Sequence, residues 1–196
     1  LVVGTHQRRG LDRLRYGSVS MGVLHHAELP VVLVPPARAV DLGPIPVIRR
    51  VLASTDFSAF GDRATRMAYA QLPLGGTVRL VHVVERGGKN PVYTHHAIGA
   101  MPPGDGEEVQ RALSEALRAL VPPEATERGI VTEVEVIESN DPAVAIAQAA
   151  ERFGADVICM GSHGRTGLRK TVLGSVTEAV VCRTRRPVLV VRPPAD

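Results

Sequence analysis

"ADVICMGSHGRTGLRKTVLGSVTEAV" (Ala155–Val180) runs from a short apolar segment, through a loop of glycines and bases, into a helix-forming stretch. The apolar run "ADVICM" is short enough to be a buried strand. Gly161 and Gly164 let the backbone behind it turn tightly and approach a ligand with its N–H groups inward. Gly174-Ser175 then opens a helix whose unsatisfied N–H groups and dipole, about half a positive charge, favour an anion. Ser175 and Thr177 add hydroxyl donors and Arg165 adds a cation, so the assembly suits a polyphosphate. A second reading stays open, in which the glycines only make a strand-to-helix turn and Ser175 is only an N-cap.

The front of the chain reads almost the same way. Gly4 falls on Gly161 and Pro36 on Pro193 at a constant offset of 157 residues, without a gap, and 13 of the 33 pairs are identical. Among them are His6/His163, Arg8/Arg165, Gly17/Gly174, Ser18/Ser175 and Pro30/Pro187. Residues 1–36 therefore read as the C-terminal end of a first copy, "ARAVDLGPIP" (37–46) as a linker, and 47–194 as a complete second copy. The missing strands of the first copy are expected to precede residue 1 in a longer chain or to come from another polypeptide.

Working outward from the quoted loop, strands and helices alternate. "VIRRVLAS" (Val47–Ser54) reads as strand one. A helix follows with Phe60, Ala64, Met67, Ala68 and Leu72 near helical spacing, and Ser58 as its N-cap. "TVRLVHVV" (Thr77–Val84) is strand two, Glu107–Leu120 a helix, and "VTEVEVIE" (Val131–Glu138) strand three. "DPAVAIAQAAERFG" begins with Asp at the cap and Pro at the first helical position, and stops at Gly154. "RPVLVVR" is strand five. This rhythm predicts an α/β fold, a parallel sheet with helices on both faces. Ligands of such sheets bind beyond the carboxyl ends of strands, where strand order reverses. "STDFS" after strand one and "GSHGRTG" after strand four both lie at such ends. Asp56 would repel phosphate and is better placed for the base or ribose of a nucleotide.

Composition narrows the choices. With 3% aromatics and no Trp there is no stacking platform for single-stranded nucleic acid. A net charge of +3 on dispersed arginines excludes a general nucleic-acid binder but leaves room for an anion site. The two cysteines, Cys159 and Cys182, belong to no ligand cluster, which argues against structural zinc and for a reducing, cytoplasmic setting. No apolar run is long enough to span a bilayer, and "LVVG" is too short, without a basic flank, for a signal peptide. GxxxxGK[ST] is absent, and GxxGxxG at 161–167 follows the wrong strand for a dinucleotide fold.

"GSHGRTGLRKTVLGS" fits G-x2-G-x9-G-[ST], and with "VLASTDFS" and "VRLVHVVE" the chain resembles the universal stress protein family. The resemblance implies a five-stranded parallel sheet of order 3-2-1-4-5, Rossmann-like and similar to the adenine nucleotide alpha hydrolases. It implies binding of ATP (or ADP or AMP), with Mg or Mn. Carried over by position, Thr55 and Asp56 would contact adenine, and Val83 would line the base or ribose pocket. Met160 and Gly161 would meet the ribose side. Gly164, Arg165, Gly174, Ser175, Val176 and Thr177 would hold phosphates. Ser54 stands where a proline is frequent, and His163 would orient the loop. The resemblance also implies that Val31–Pro35 lies antiparallel to Val188–Arg192, or that this edge pairs with another subunit in a homo-oligomer.

In the first copy Gln7 replaces Gly164, and its Cβ and long side chain obstruct backbone approach, so no nucleotide is expected there. His95-His96 reads as an exposed loop pair, His82 as a packed wall, and Glu85 as close enough to meet a metal through water. No residue pattern activates a water or a nucleophile, so binding is expected rather than turnover, with at most weak ATP hydrolysis. The alternatives are a slow ATP hydrolase or phosphotransferase, and an assembly module that binds no nucleotide.

Overall fold

The structure is a computed structural model that describes residues 1–5, 18–35, 47–84, 106–163 and 173–192. Its elements are β1 (Val2–Gly4), α1 (Ser18–His26), β2 (Val31–Val34), β3 (Arg50–Ser54), α2 (Ala59–Ala70), β4 (Thr77–Val84), α3 (Gly106–Ala119), α4 (Glu124–Glu127), β5 (Val131–Glu138), α5 (Pro142–Phe153), β6 (Val157–Gly161), α6 (Ser175–Arg183) and β7 (Val188–Val191).

Local chemistry explains several boundaries. Ser58 Oγ accepts the Gly61 N–H at 3.1 Å and opens α2. Asp141 accepts from Val144 N at the start of α5, Pro142 fills its first turn, and Gly154 ends it in the left-handed region at φ 66°. Strand β3 begins three residues later than the sequence suggests. The N–H groups of Arg49 and Arg50 both donate to Asp156 Oδ2 at 2.8 Å, so a side chain rather than a strand ladder satisfies the backbone there.

Strand order is β1-β2-β7-β6-β3-β4-β5. The last five positions reproduce the expected 3-2-1-4-5 arrangement of the second copy, all parallel. The count of five is corrected to seven. Strand β2 adds antiparallel to the edge of β7, and β1 continues the sheet parallel to β2. An uncovered strand edge carries unpaired N–H and C=O groups, and β2 covers that of β7.

Alternate strand residues feed two cores. Leu52, Ile158, Met160, Val188 and Val190 pack with Ile146, Phe153 and Val180 of α5 and α6, and with Leu24 of α1. Val51, Ala53, Val157, Cys159 and Leu189 pack on the other face with Ala64, Ala68 and Tyr69 of α2 and Leu117 of α3. Both faces being covered, each fully buried Leu or Phe contributes roughly 1.5–3 kcal/mol of transfer free energy. No helix among the described residues is long and apolar enough to cross a membrane.

Candidate functional site

From β3 the chain moves to β4 on one side of the sheet and returns at β6 on the other. The strand order therefore reverses between β3 and β6, whose carboxyl ends lie side by side with Ser54 opposite Met160. This is where an α/β sheet opens a crevice.

On the β3 side the loop is tightly pinned. Thr55 is buried, its N–H donates to Val81 O at 3.0 Å, and its carbonyl accepts from His82 Nδ1 at 2.8 Å. His82 is thus the packed wall histidine expected, its ring 4.7 Å from that of Phe57. Thr55 Oγ1 accepts from Phe57 N and Asp56 Oδ1 from Ser58 N. Between them Phe57 takes φ +60°, an uncommon conformation for a bulky residue. Helix α2 closes on this loop through Gly61, where a Cβ would lie 2.5 Å from Thr55 Oγ1 and 3.0 Å from Asp56 Oδ1. Asp56 is half-exposed at the mouth, and Val83, near the end of β4, is half-buried beside Ile137.

On the β6 side Met160 is committed to the core. Gly161 is a glycine for a reason the sequence did not disclose: a Cβ would lie 3.0 Å from the C, O and Cβ atoms of Phe60. The Gly161 carbonyl accepts from Thr177 Oγ1 at 2.8 Å, so this hydroxyl's proton is engaged within the protein. Ser20, the Thr177 equivalent in the first copy, donates to Gly4 O over the same 2.8 Å. Because Ser20–Gly4 occurs in the copy carrying Gln7, the bond serves the strand–helix junction in both copies.

Ser162 N donates to Val191 O, and Ser162 O accepts from Gly174 N at 2.8 Å, tying the start of α6 to the exit of β6. Gly174 is the N-cap residue, at φ −65° and ψ 140°, and as a glycine it brings no side chain to cap the helix. Ser175 is the first helical residue rather than the cap, and both it and Val176 are exposed. The first helical bond is Glu178 N to Gly174 O. The N–H groups of Ser175, Val176 and Thr177 precede it and have no intrahelical acceptor. His163 is 6% exposed, its Nδ1 lies 3.0 Å from Ser162 Oγ, and its Nε2 is buried without a partner among the described residues. Burial first, and the charge of Arg192 second, hold its pKa below the usual histidine value.

Gly164 and Arg165 lie outside the described residues, as do Glu85, His95 and His96. Among the described residues no cluster of three or more His, Cys, Asp or Glu side chains could hold a metal. Sequence reasoning missed Phe57 and Gly61. A glycine in the first turn of a helix was the available signal for Gly61, whereas nothing in "TDFS" marks a left-handed phenylalanine.

The profile of the Universal stress protein family matches residues 1–35 and 48–192, and the chain belongs to that family. Universal stress protein MJ0577 of Methanocaldococcus jannaschii is 47% identical over 58 residues, which are 30% of this chain and 36% of that protein. Its solved structure covers 77% of this chain and 100% of its own, with 28% identity and a TM-score of 0.59. Universal stress protein Rv2005c of Mycobacterium tuberculosis is 29% identical over 192 residues, 98% of this chain. A universal stress protein structure from Archaeoglobus fulgidus, 27% identical, covers all of this chain at a TM-score of 0.63. The chain spans only 61% of the length of each of these last two.

Proposed function

We propose that the chain is a nucleotide-sensing universal stress protein of the cytoplasm. Its second copy, residues 47–194, binds ATP or a related adenine nucleotide and acts through binding rather than turnover. The observation that carries this reading is the uncapped start of α6 beside the β3/β6 crevice: three N–H groups without intrahelical acceptors, at the positive end of a helix dipole.

Thr55 and Asp56 form the opposite wall, where Asp56 suits the hydroxyl or amino donors of a nucleoside rather than its phosphates. Val83 supplies apolar surface for the base, and Gly161 and Met160 shape the floor through their backbone. The N–H groups of Ser175, Val176 and Thr177, with Gly164 and Arg165 from the preceding loop, receive the phosphates. Mg or Mn would arrive on the triphosphate, neutralising charge that the helix start only half compensates.

Equilibrium binding of labelled ATP to the native chain and to Gly164→Gln tests this reading. The expected result is saturable binding by the native chain and at least about a tenfold loss, roughly 1.4 kcal/mol, in the variant. Equal binding by both removes the phosphate-loop assignment. Phosphate release above background, lost in the same variant, would favour the hydrolase reading.

A further inference from the structure

Arg192 follows β7 directly and is 2% exposed. Its guanidinium does not meet a carboxylate among the described residues. Instead Nε donates to Ala27 O at 2.9 Å, and Nη2 donates to Leu24 O and to His25 O, the latter at 2.6 Å. A cation from the second copy therefore caps the negative end of α1, the helix of the first copy.

The strands beside this clasp are self-complementary. Val31 pairs with Val190, Val32 with Leu189 and Leu33 with Val188. At the 157-residue offset Val32 is the equivalent of Leu189, so a pseudo-two-fold axis passes through that pair. By the same symmetry β7 could pair in identical register with β7 of a second chain, as any isologous edge can. The strand ladder alone does not choose between these partners.

We propose that Arg192 makes the edge of β7 selective for the first-copy tail, α1 and β2, over a second copy of itself. The segment after Leu24 is "HHAEL", with Glu28 as its only full charge, whereas the equivalent segment after Val181 is "CRTRR", with Arg183, Arg185 and Arg186. In this chain Arg183 pairs with Asp141 at 3.7 Å and Arg186 with Glu151 at 2.8 Å. In a β7–β7 pair each Arg192 would therefore enter beside Arg185 of the other chain, uncompensated among the described residues, and this would happen twice. In a β2–β2 pair Pro35 occupies the equivalent position, and no guanidinium reaches the helix end. Only the mixed pair offers both a donor and an acceptor end without like-charge contact. Selectivity of this kind needs the repulsive contact as well as the attractive one.

The test uses the full chain carrying Val32→Cys and Leu189→Cys in a Cys182→Ala background, Cys159 being fully buried. After oxidation, peptide mapping counts intrachain 32–189 bonds against interchain 189–189 bonds. With native Arg192 the intrachain product is expected to dominate. Arg192→Glu removes the clasp and places a carboxylate where the partner offers arginines, so the 189–189 fraction is expected to rise at least about tenfold. Arg185→Glu, an exposed change outside the clasp, reads the repulsive half alone and is expected to raise the same fraction several-fold, even if Arg192→Glu does not fold. A residue that merely fills space would lower every product together. An unchanged ratio in the folded variants overturns the proposal.

Discussion

A methyl group at position 161 would press into the backbone of Phe60, whose C, O and Cβ atoms lie 3.0 Å from where it would sit. Backbone yields less readily than a side-chain end, so Gly161→Ala is expected to destabilise the fold by about 1–3 kcal/mol, the range for overpacking, in urea unfolding. Thr177→Val keeps shape but leaves the Gly161 carbonyl without its hydroxyl donor, a loss of about 1–3 kcal/mol, while Thr177→Ser should nearly restore stability. His163 predicts a pH effect. Its folded pKa lies below the ordinary 6.5, so the unfolded chain binds the proton more readily. The stability this residue contributes is present above pH 6.5 and is lost as pH falls through that value toward the depressed pKa. Denaturant midpoints should therefore fall more steeply from pH 7 to 5 in the native chain than in His163→Gln; parallel curves would contradict this.

Helix α6 is built to begin without a capping side chain, and that is a property of the element rather than of one residue. At φ −65° and ψ 140°, position 174 has an extended backbone that L residues adopt, although proline would lose the N–H that donates to Ser162 O. Gly174→Asp would supply the missing cap and place a carboxylate at the positive helix end. Its stability should rise by a few tenths to about 1 kcal/mol while its ATP affinity falls, an opposition of sign that thermal unfolding and binding titration read separately. Elements with period-two or capped patterns were legible in the sequence: β4 and β5 have the predicted bounds, and α5 runs from Pro142 to its Gly154 stop. The start of β3 was not, because Asp156, more than a hundred residues away, satisfies the Arg49 and Arg50 amides. The four-residue α4 was also missed, being too short to carry a periodic pattern.

At the scale of the whole molecule, two helices and two strands recur at one offset. Helices α1 and α6 and strands β2 and β7 share bounds at the same offset of 157 residues, as Ser18–His26 against Ser175–Arg183 and Val31–Val34 against Val188–Val191 show. The antiparallel meeting of β2 with β7 was implied by the family resemblance, whereas β1, three residues long, carries no pattern that could have shown it. Nor was Arg192 legible, whose partners are carbonyls that any sequence supplies. Gln7 stands at the position of Gly164, so the two matched segments are expected to differ in chemistry. Calorimetric titration with ATP should accordingly give one nucleotide per chain; two equivalent sites would show that Gln7 is no obstacle.

The backbone after β6 and at the head of α6 is proposed to receive phosphates. The most direct measurement compares equilibrium binding of ATP and adenosine to the native chain under identical Mg and salt. ATP is expected to bind tighter by at least about tenfold, with Gly174→Asp abolishing that margin while adenosine binding stays unchanged. Equal affinity for the two, or a margin that survives Gly174→Asp, would contradict it.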